Sequence, residues 1–374
     1  ESDPTTFAPL GLADNDVVPL PPVDIAVVPA PSEARYTVVT AIDLTGGTTL
    51  ARQAVLGGSQ TVYMSPNNLY LAAPDYGQDP VQTHITRIAL GDSDLKVAAQ
   101  RAVPGTLLNQ FALDEFAGHL RVVITSSGPD PATEIWSQSV SLLVLDGELA
   151  QVGAVDLVED ESVQAVRFAG TTGYVVTFQQ VDPLFAVDLT RPDAPRVMSA
   201  LKIPGFSTYL HPWGDGRLVG LGVNADENGF TDKLKISLFD ITDPYAVTEL
   251  TSAVVDADDS VAMSDHRAVW ADPDRGLIGF PAMSWESDRT STSYLVYSVD
   301  DGGRAARRAI LPLDSAPGYG VDPIPRGVRV GDHLYICSAA AVAVYDLSTF
   351  TEVADLTVND LPQSDLRDHE EMVD

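Results

Sequence analysis

Between residues 224 and 232, oxygen-bearing side chains recur ahead of and beyond a glycine: Asn224, Asp226 and Asn228, then Gly229 and Asp232. Alternate oxygen ligands before a glycine turn are the front half of a calcium loop, in which hard donors wrap a hard cation. The match is incomplete. A full loop opens on Asp and carries a bidentate Glu at its twelfth position, whereas this one opens on Asn224 and has Lys235 there. Asn228-Gly229 is also a standard hairpin turn, so Ca2+ held by Asn224, Asp226, Asn228 and Asp232 stands beside a plain polar hairpin. A second acidic cluster, Asp256-Ala257-Asp258-Asp259-Ser260, offers more oxygen atoms but reads as a solvated loop in a chain this acidic.

Tyr209 and His211 lie two residues apart, which on a strand puts both on one face. Asp265-His266 occupies a similar place one repeat later. With Asn109 and Gln110 these residues make a candidate ligand or metal set; the competing reading is that they hydrogen-bond neighbouring strands and lock them together. His84, His119, His333 and His369 show no clustering. Nucleophilic catalysis finds little footing, because Gly205-Phe206-Ser207-Thr208-Tyr209 lacks the second glycine of a nucleophile elbow. No glycine-rich phosphate loop, CxxC pair or HExxH helix occurs, and no catalytic residue is assigned. Trp213 and Trp285 are candidate sugar or peptide contacts if exposed and core residues if not.

The elements that must position these residues are legible from a repeated phrase. An apolar run closing on Asp returns as Ala41-Ile42-Asp43, Val144-Leu145-Asp146, Ala186-Val187-Asp188, Leu238-Phe239-Asp240, Ser298-Val299-Asp300 and Val344-Tyr345-Asp346, and Arg87-Ile88-Ala89-Leu90 fills the gap without its Asp. A period of about fifty residues with strand patterning inside each unit points to an all-β fold, a β-propeller of four-stranded antiparallel blades. The stretch from Val163 shows the order: residues 164–168, a Gly170-to-Gly173 turn, residues 174–178, residues 184–189, a turn at Pro192-Asp193, and residues 197–203. The recurring Asp is expected to accept backbone N–H bonds two residues on and so fix the hairpin between third and fourth strands.

Counting innermost strands gives six complete blades, starting near Gln60, Leu108, Val163, Phe206, Val261 and Gly320. Innermost strands line a propeller's central channel, where ligands bind, so the set of His211, Tyr209, Asp265, His266, Asn109 and Gln110 is expected there. Residues 36–44 and 51–56 read as the third and fourth strands of a further half blade. Residues 1–35 read as a Pro-rich loop with one extended piece over residues 23–28, residues 36–358 as the propeller and residues 359–374 as an acidic tail. An unpaired inner edge exposes backbone groups, so an upstream fragment of the same precursor or another chain is expected to complete the first blade, giving seven or eight blades in all.

Acidic residues number 53 against 22 basic ones, a formal charge of -31. A field of that sign repels nucleic-acid phosphates and anionic lipid. Lysine is confined to Lys96, Lys202, Lys233 and Lys235, as suits a saline or external medium, although GC-rich coding favours arginine equally. The lone cysteine, Cys337, cannot form an internal disulfide and is expected as a buried free thiol. The longest wholly apolar run, residues 339–344, is too short to span a bilayer.

Tyr174-Val175-Val176-Thr177-Phe178, Leu184-Phe185-Ala186-Val187-Asp188-Leu189 and Leu201-Lys202-Ile203-Pro204-Gly205-Phe206, running on to His211-Pro212, resemble the signature of the secreted prokaryotic β-propeller domain family, distantly related to WD repeats. Lys235-Ile236-Ser237-Leu238-Phe239-Asp240, Asp265-His266 and Pro104-Gly105-Thr106-Leu107-Leu108 fit the same family, and the similarity spans about residues 36–358. The resemblance implies the fold and export to the cell exterior or envelope. It further implies blade sequence upstream, with the Pro-rich segment an insertion within a blade and Glu1 not the first codon. Two functions follow as expectations: a non-catalytic module that binds or scaffolds an extracellular protein or glycan, and, as the alternative, an extracellular metal-dependent hydrolase or lyase.

Overall fold

The computed structural model describes residues 8–13, 16–29, 31, 33–129, 136–178, 182–225, 231–286, 289–300, 302–313, 325–338 and 341–357. These described residues fall into two compact units, the first running up to residue 200 and the second from residue 201 on, with residue 182 belonging to the second.

The first unit opens on a short hairpin, β1 (Leu10–Ala13) with β2 (Asp16–Pro19), followed by β3 (Ile25–Val27), β4 (Tyr36–Asp43) and β5 (Thr48–Leu56) in a sheet of order β3-β5-β4. Two four-stranded meanders come next: β6 to β9 (Thr61–Met64, Asn68–Asp75, Gln82–Leu90, Leu95–Pro104) and β10 to β13 (Leu113–Phe116, His119–Pro129, Trp136–Leu145, Gln151–Glu159). A third comprises β14 to β17 (Ser162–Ala169, Thr172–Phe178, Asp182–Asp188, Arg196–Ile203), its last strand running on into the second unit. The second unit holds three more: β18 to β21 (Phe206–Pro212, Arg217–Ala225, Thr231–Asp240, Thr248–Val255), β22 to β25 (Trp270–Asp272, Leu277–Glu286, Arg289–Val299, Ala305–Pro312) and β26 to β29 (Arg326–Val330, His333–Cys337, Ala341–Asp346, Glu352–Thr357). Among the described residues six blades of the expected kind are therefore present.

The recurring Asp has the local task its position suggests. Asp43, Asp188, Asp240 and Asp346 each accept the N–H two residues on, at 2.9–3.0 Å. Asp146 takes the Glu148 and Ala150 amides, and Asp300 takes the Arg304 amide at 2.8 Å. Just ahead of this turn the ladder between third and fourth strands carries a bulge, as at Val144/Leu145, Leu238/Phe239 and Val344/Tyr345, which twists the strand into its turn. Second and third strands are buried on both faces, so they read as continuous apolar runs; Tyr70, Ile85, Leu120, Val122 and Leu145 fill one inter-sheet core of the first unit. In the second unit Trp213, Leu221, Ile236, Phe280 and Tyr297 do the same.

Several local expectations give way. Leu108 does not begin an inner strand; a 3-10 turn at Gln110–Ala112 precedes the four-residue β10. Val261 opens two successive 3-10 turns, Val261–Met263 and His266–Ala268, and the inner strand is only Trp270–Asp272. In both places a side chain with a short polar tip competes for backbone N–H groups and wins over the ladder. The last inner strand begins at Arg326, and Gly320 lies outside the described residues. The Pro-rich start contains a hairpin as well as the extended piece, since Leu10-Gly11-Leu12 and Val17-Val18 pair despite the flanking prolines. Trp213 is buried at 6% exposure while Trp285 is exposed at 61%. Cys337 is a free thiol but half-buried.

Candidate functional site

Bringing Tyr209, His211 and His266 together is the work of β18 and the second of the 3-10 turns that lead into β22. The Tyr209 hydroxyl and His211 Nδ1 are 2.8 Å apart, a direct hydrogen bond made possible by their two-residue spacing. His266 stacks on Tyr209, their ring centroids 6.2 Å apart at an interplanar angle of 28°. All three rings are half-buried. Thr208 and Met263 border them, the Thr208 hydroxyl reaching the Met263 sulfur at 3.2 Å. The result is an aromatic patch with imidazole nitrogens.

Asp265, next in sequence to His266, is committed to Arg267. Its Oδ1 accepts from the Arg267 amide at 2.9 Å and from Arg267 Nε at 2.8 Å, while Oδ2 takes the second arm of the same guanidinium. Hydrogen bonding to Arg267 drags the Asp265 carboxyl from its ordinary 3.8 to about 2. A carboxylate held this way is a poor base and has few lone pairs left for a metal. Asn109 has the same structural post in the first unit, where its Oδ1 accepts the Phe111 amide at 2.9 Å and caps the turn containing Gln110. Asn109 and Asp265 thus share a role, and Ser260 repeats it at Ala262.

Of the calcium-loop residues, Asp226 and Asn228 lie outside the described residues. Asn224 donates its amide to Asp232 Oδ1 at 3.0 Å. Lys235, at the twelfth position, points into the blade: it is 3% exposed and donates to the Pro204 carbonyl at 2.6 Å. The acidic cluster is a latch and more than a solvated loop. Asp258 Oδ1 accepts from Lys233 at 2.8 Å and Oδ2 from the Trp285 amide at 2.7 Å, and Asp259 pairs with Met283. Among the described residues no group of three or more His, Cys, Asp or Glu side chains is arranged to hold a metal ion.

Two polar clusters escaped the sequence reading. In the first unit Glu115 on β10 gathers the Ser65 hydroxyl at 2.6 Å, the Asn68 amide at 3.0 Å and the Tyr70 hydroxyl at 3.0 Å, and its own N–H donates to Tyr63. Burial first, and then the Glu115 charge, push the Tyr70 hydroxyl well above its usual range. The signal was the Asp114-Glu115 pair between Leu113 and Phe116. In the second unit a polar cleft of about 640 Å³ is lined by Arg217, Arg275 and Arg308 with Asp215, Asp274 and Asp300, so its charges are mixed rather than of one sign.

Residues 3–350 match the family described as beta propeller domain. The chain belongs to the beta propeller domain family. An uncharacterized protein of Archaeoglobus fulgidus is 33% identical to this propeller over 276 residues, covering 74% of this chain and 39% of that protein. Another uncharacterized protein, from Methanocaldococcus jannaschii, is 38% identical over 204 residues, 54% of this chain and 30% of its own length. The propeller therefore spans well under half the length of these curated relatives. Among solved structures, AztD of Citrobacter koseri aligns over 86% of this chain and 92% of its own at 16% identity and a TM-score of 0.42. A Lactobacillus plantarum protein aligns over 85% and 91% at 12% identity and a TM-score of 0.45.

Proposed function

We propose that this propeller is the rigid, non-catalytic binding module of a secreted or cell-surface protein, presenting Tyr209, His211 and His266 to an extracellular protein or glycan. The observation that carries this reading is the grouping of the three rings, in which the Tyr209 hydroxyl bonds His211 and His266 stacks on Tyr209, beside a carboxylate, Asp265, that is committed to Arg267 through both oxygens. A carboxylate paired in this way is a poor general base near working pH, which argues against Asp265 in that role. Aromatic rings with polar edges suit sugar and peptide surfaces, because they bury area at little entropic cost. Export rests on the resemblance of residues 36–358 to the secreted propeller domain family.

The test is a glycan and peptide array probed with the purified protein and with Tyr209→Ala and His266→Ala. A hit that both variants abolish supports the reading. Tight stoichiometric metal in purified protein, lost in His211→Ala together with a hydrolytic or lyase activity, would replace it with the enzymatic one.

A further inference from the structure

The sheet β3-β5-β4 is a blade cut lengthwise, and its open side is specific. Strands β4 and β5 carry both marks of a third and fourth strand: the bulge at Ala41/Ile42 just ahead of the Asp, and the Asp43 turn that takes the Thr45 and Gly46 amides. In the six complete blades the third strand is flanked by a second strand on one side and a fourth on the other. Here β3 adds in parallel to β5, the fourth-strand equivalent, and so does nothing for β4. Among the described residues the other edge of β4 pairs with no strand.

Exposure shows what that edge is shaped for. Ile42, the residue before the Asp, is 54% exposed, whereas its equivalents Leu145, Val187 and Phe239 are 0% and Tyr345 is 3%. Leu44, the residue after the Asp, is 95% exposed, whereas Leu189 and Leu347 are 5% and 8%. The backbone repeats the contrast. Leu189 donates its N–H to the Thr171 carbonyl, Ile241 to Gly216 and Leu347 to Asp332, in each case the turn between the first and second strands, at 2.8–2.9 Å. Among the described residues no backbone carbonyl takes the Leu44 N–H.

We propose that the β4 edge is a docking site for an apolar β-hairpin built like this chain's own inner hairpins, whose second strand pairs antiparallel with Tyr36–Asp43 and whose turn carbonyl receives the Leu44 N–H. Strand addition supplies main-chain hydrogen bonds and the alternate side chains supply register. The curated relatives, of which this chain spans 39% and 30%, have ample length to carry such a hairpin. This inference rests on the sheet and on the length of the relatives, and stands or falls apart from the proposed function.

The experiment fuses a copy of residues 61–75, the chain's own β6–β7 hairpin, ahead of residue 1 through a flexible Gly/Ser linker, with a scrambled copy as control. A tether of this kind raises the local hairpin concentration to the millimolar range. Hydrogen exchange is read at residues 36–44. The expected result is that every second amide of Tyr36–Asp43, and that of Leu44, slows on the order of tenfold with the true hairpin only. Leu44→Asp, at a solvent-exposed position, should cancel the protection without lowering the Tm of the unfused protein. Equal exchange with true and scrambled hairpins overturns the proposal. So do β4 amides already protected in the unfused chain, with size exclusion showing whether a second copy covers them. Protection that survives Leu44→Asp overturns the register.

Discussion

Lys235, with Arg121 the most deeply buried cation among the described residues, gives the sharpest test of how this chain holds its sheets. Only 3% of it is exposed, its ammonium donates to Pro204 O at 2.6 Å, and the Glu249 carboxylate lies 3.4 Å away. Glu249 Oε1 has no hydrogen-bond partner, so the Lys235 charge is what compensates it. Removing one member of a buried ion pair costs about 3–5 kcal/mol, because the survivor is left desolvated and unpaired. Glu249 retains 18% side-chain exposure and can turn partly to water, so Lys235→Met should fall near the lower end, about 3 kcal/mol. Lys235→Met with Glu249→Leu removes both charges and should recover most of the loss, leaving about 1 kcal/mol for the orphaned Pro204 carbonyl. Urea unfolding of wild type, both single variants and the double variant gives the coupling directly. Should Lys235→Met alone lie within about 0.5 kcal/mol of wild type, or the double variant simply sum the singles, the buried-pair argument is refuted.

Glu115→Ala leaves the Ser65, Asn68 and Tyr70 donors without their shared acceptor and should cost about 2–3 kcal/mol in the same assay, with Tyr70→Phe costing about 1. The carboxyl of Asp346, lowered from 3.8 to about 2 chiefly by the Ser348 hydroxyl, contributes stability that is complete above 3.8 and lost as pH falls towards 2; Asp346→Ala should flatten the Tm over that window, and an unchanged acid limb would contradict it. A calcium ion on Asn224, Asp226, Asn228 and Asp232 would raise the Tm in calcium and lower it in chelator, but the direct Asn224–Asp232 bond and the inward Lys235 favour a hairpin closed without one, so a melt indifferent to both is expected. Trp285→Ala should leave stability within about 0.5 kcal/mol and Trp213→Ala should cost about 3–5 kcal/mol, as their burial dictates.

The architecture was legible because two periodicities coincide. Alternation within strands sets the pleat, and the returning Asp sets the blade, since each carboxylate has one local bond to make that depends on nothing distant. The same reasoning fails at the inner strands after Leu107 and Ser260, where Asn109, Ser260 and Asp265 cap 3-10 turns, because a cap and a strand residue look alike until the backbone chooses. Trp213 and Trp285 illustrate the other limit: residue type is shared, and only the packing of the β18–β21 and β22–β25 sheets buries one of them.

The candidate site divides in the same way. The Tyr209–His211 bond follows from strand spacing and is available to a reader of the sequence, whereas the stacking of His266 on Tyr209 needs two sheets to be placed side by side. Asp265 looked like a third ligand because sequence proximity brings carboxylate and imidazole together at residues 265 and 266. The structure instead gives the carboxylate to Arg267, two residues on, and an Arg–carboxylate fork leaves less charge for a metal than a free carboxylate would. The pairing weakens Asp265 as a base and leaves the three rings as they are. A metal-dependent enzyme that used Asp265 as a ligand would have to break the Asp265–Arg267 pair first, so Arg267→Ala is the variant in which any metal affinity that Asp265 lends to the neighbouring imidazoles should appear, read as zinc retained through dialysis by the variant and not by the wild type.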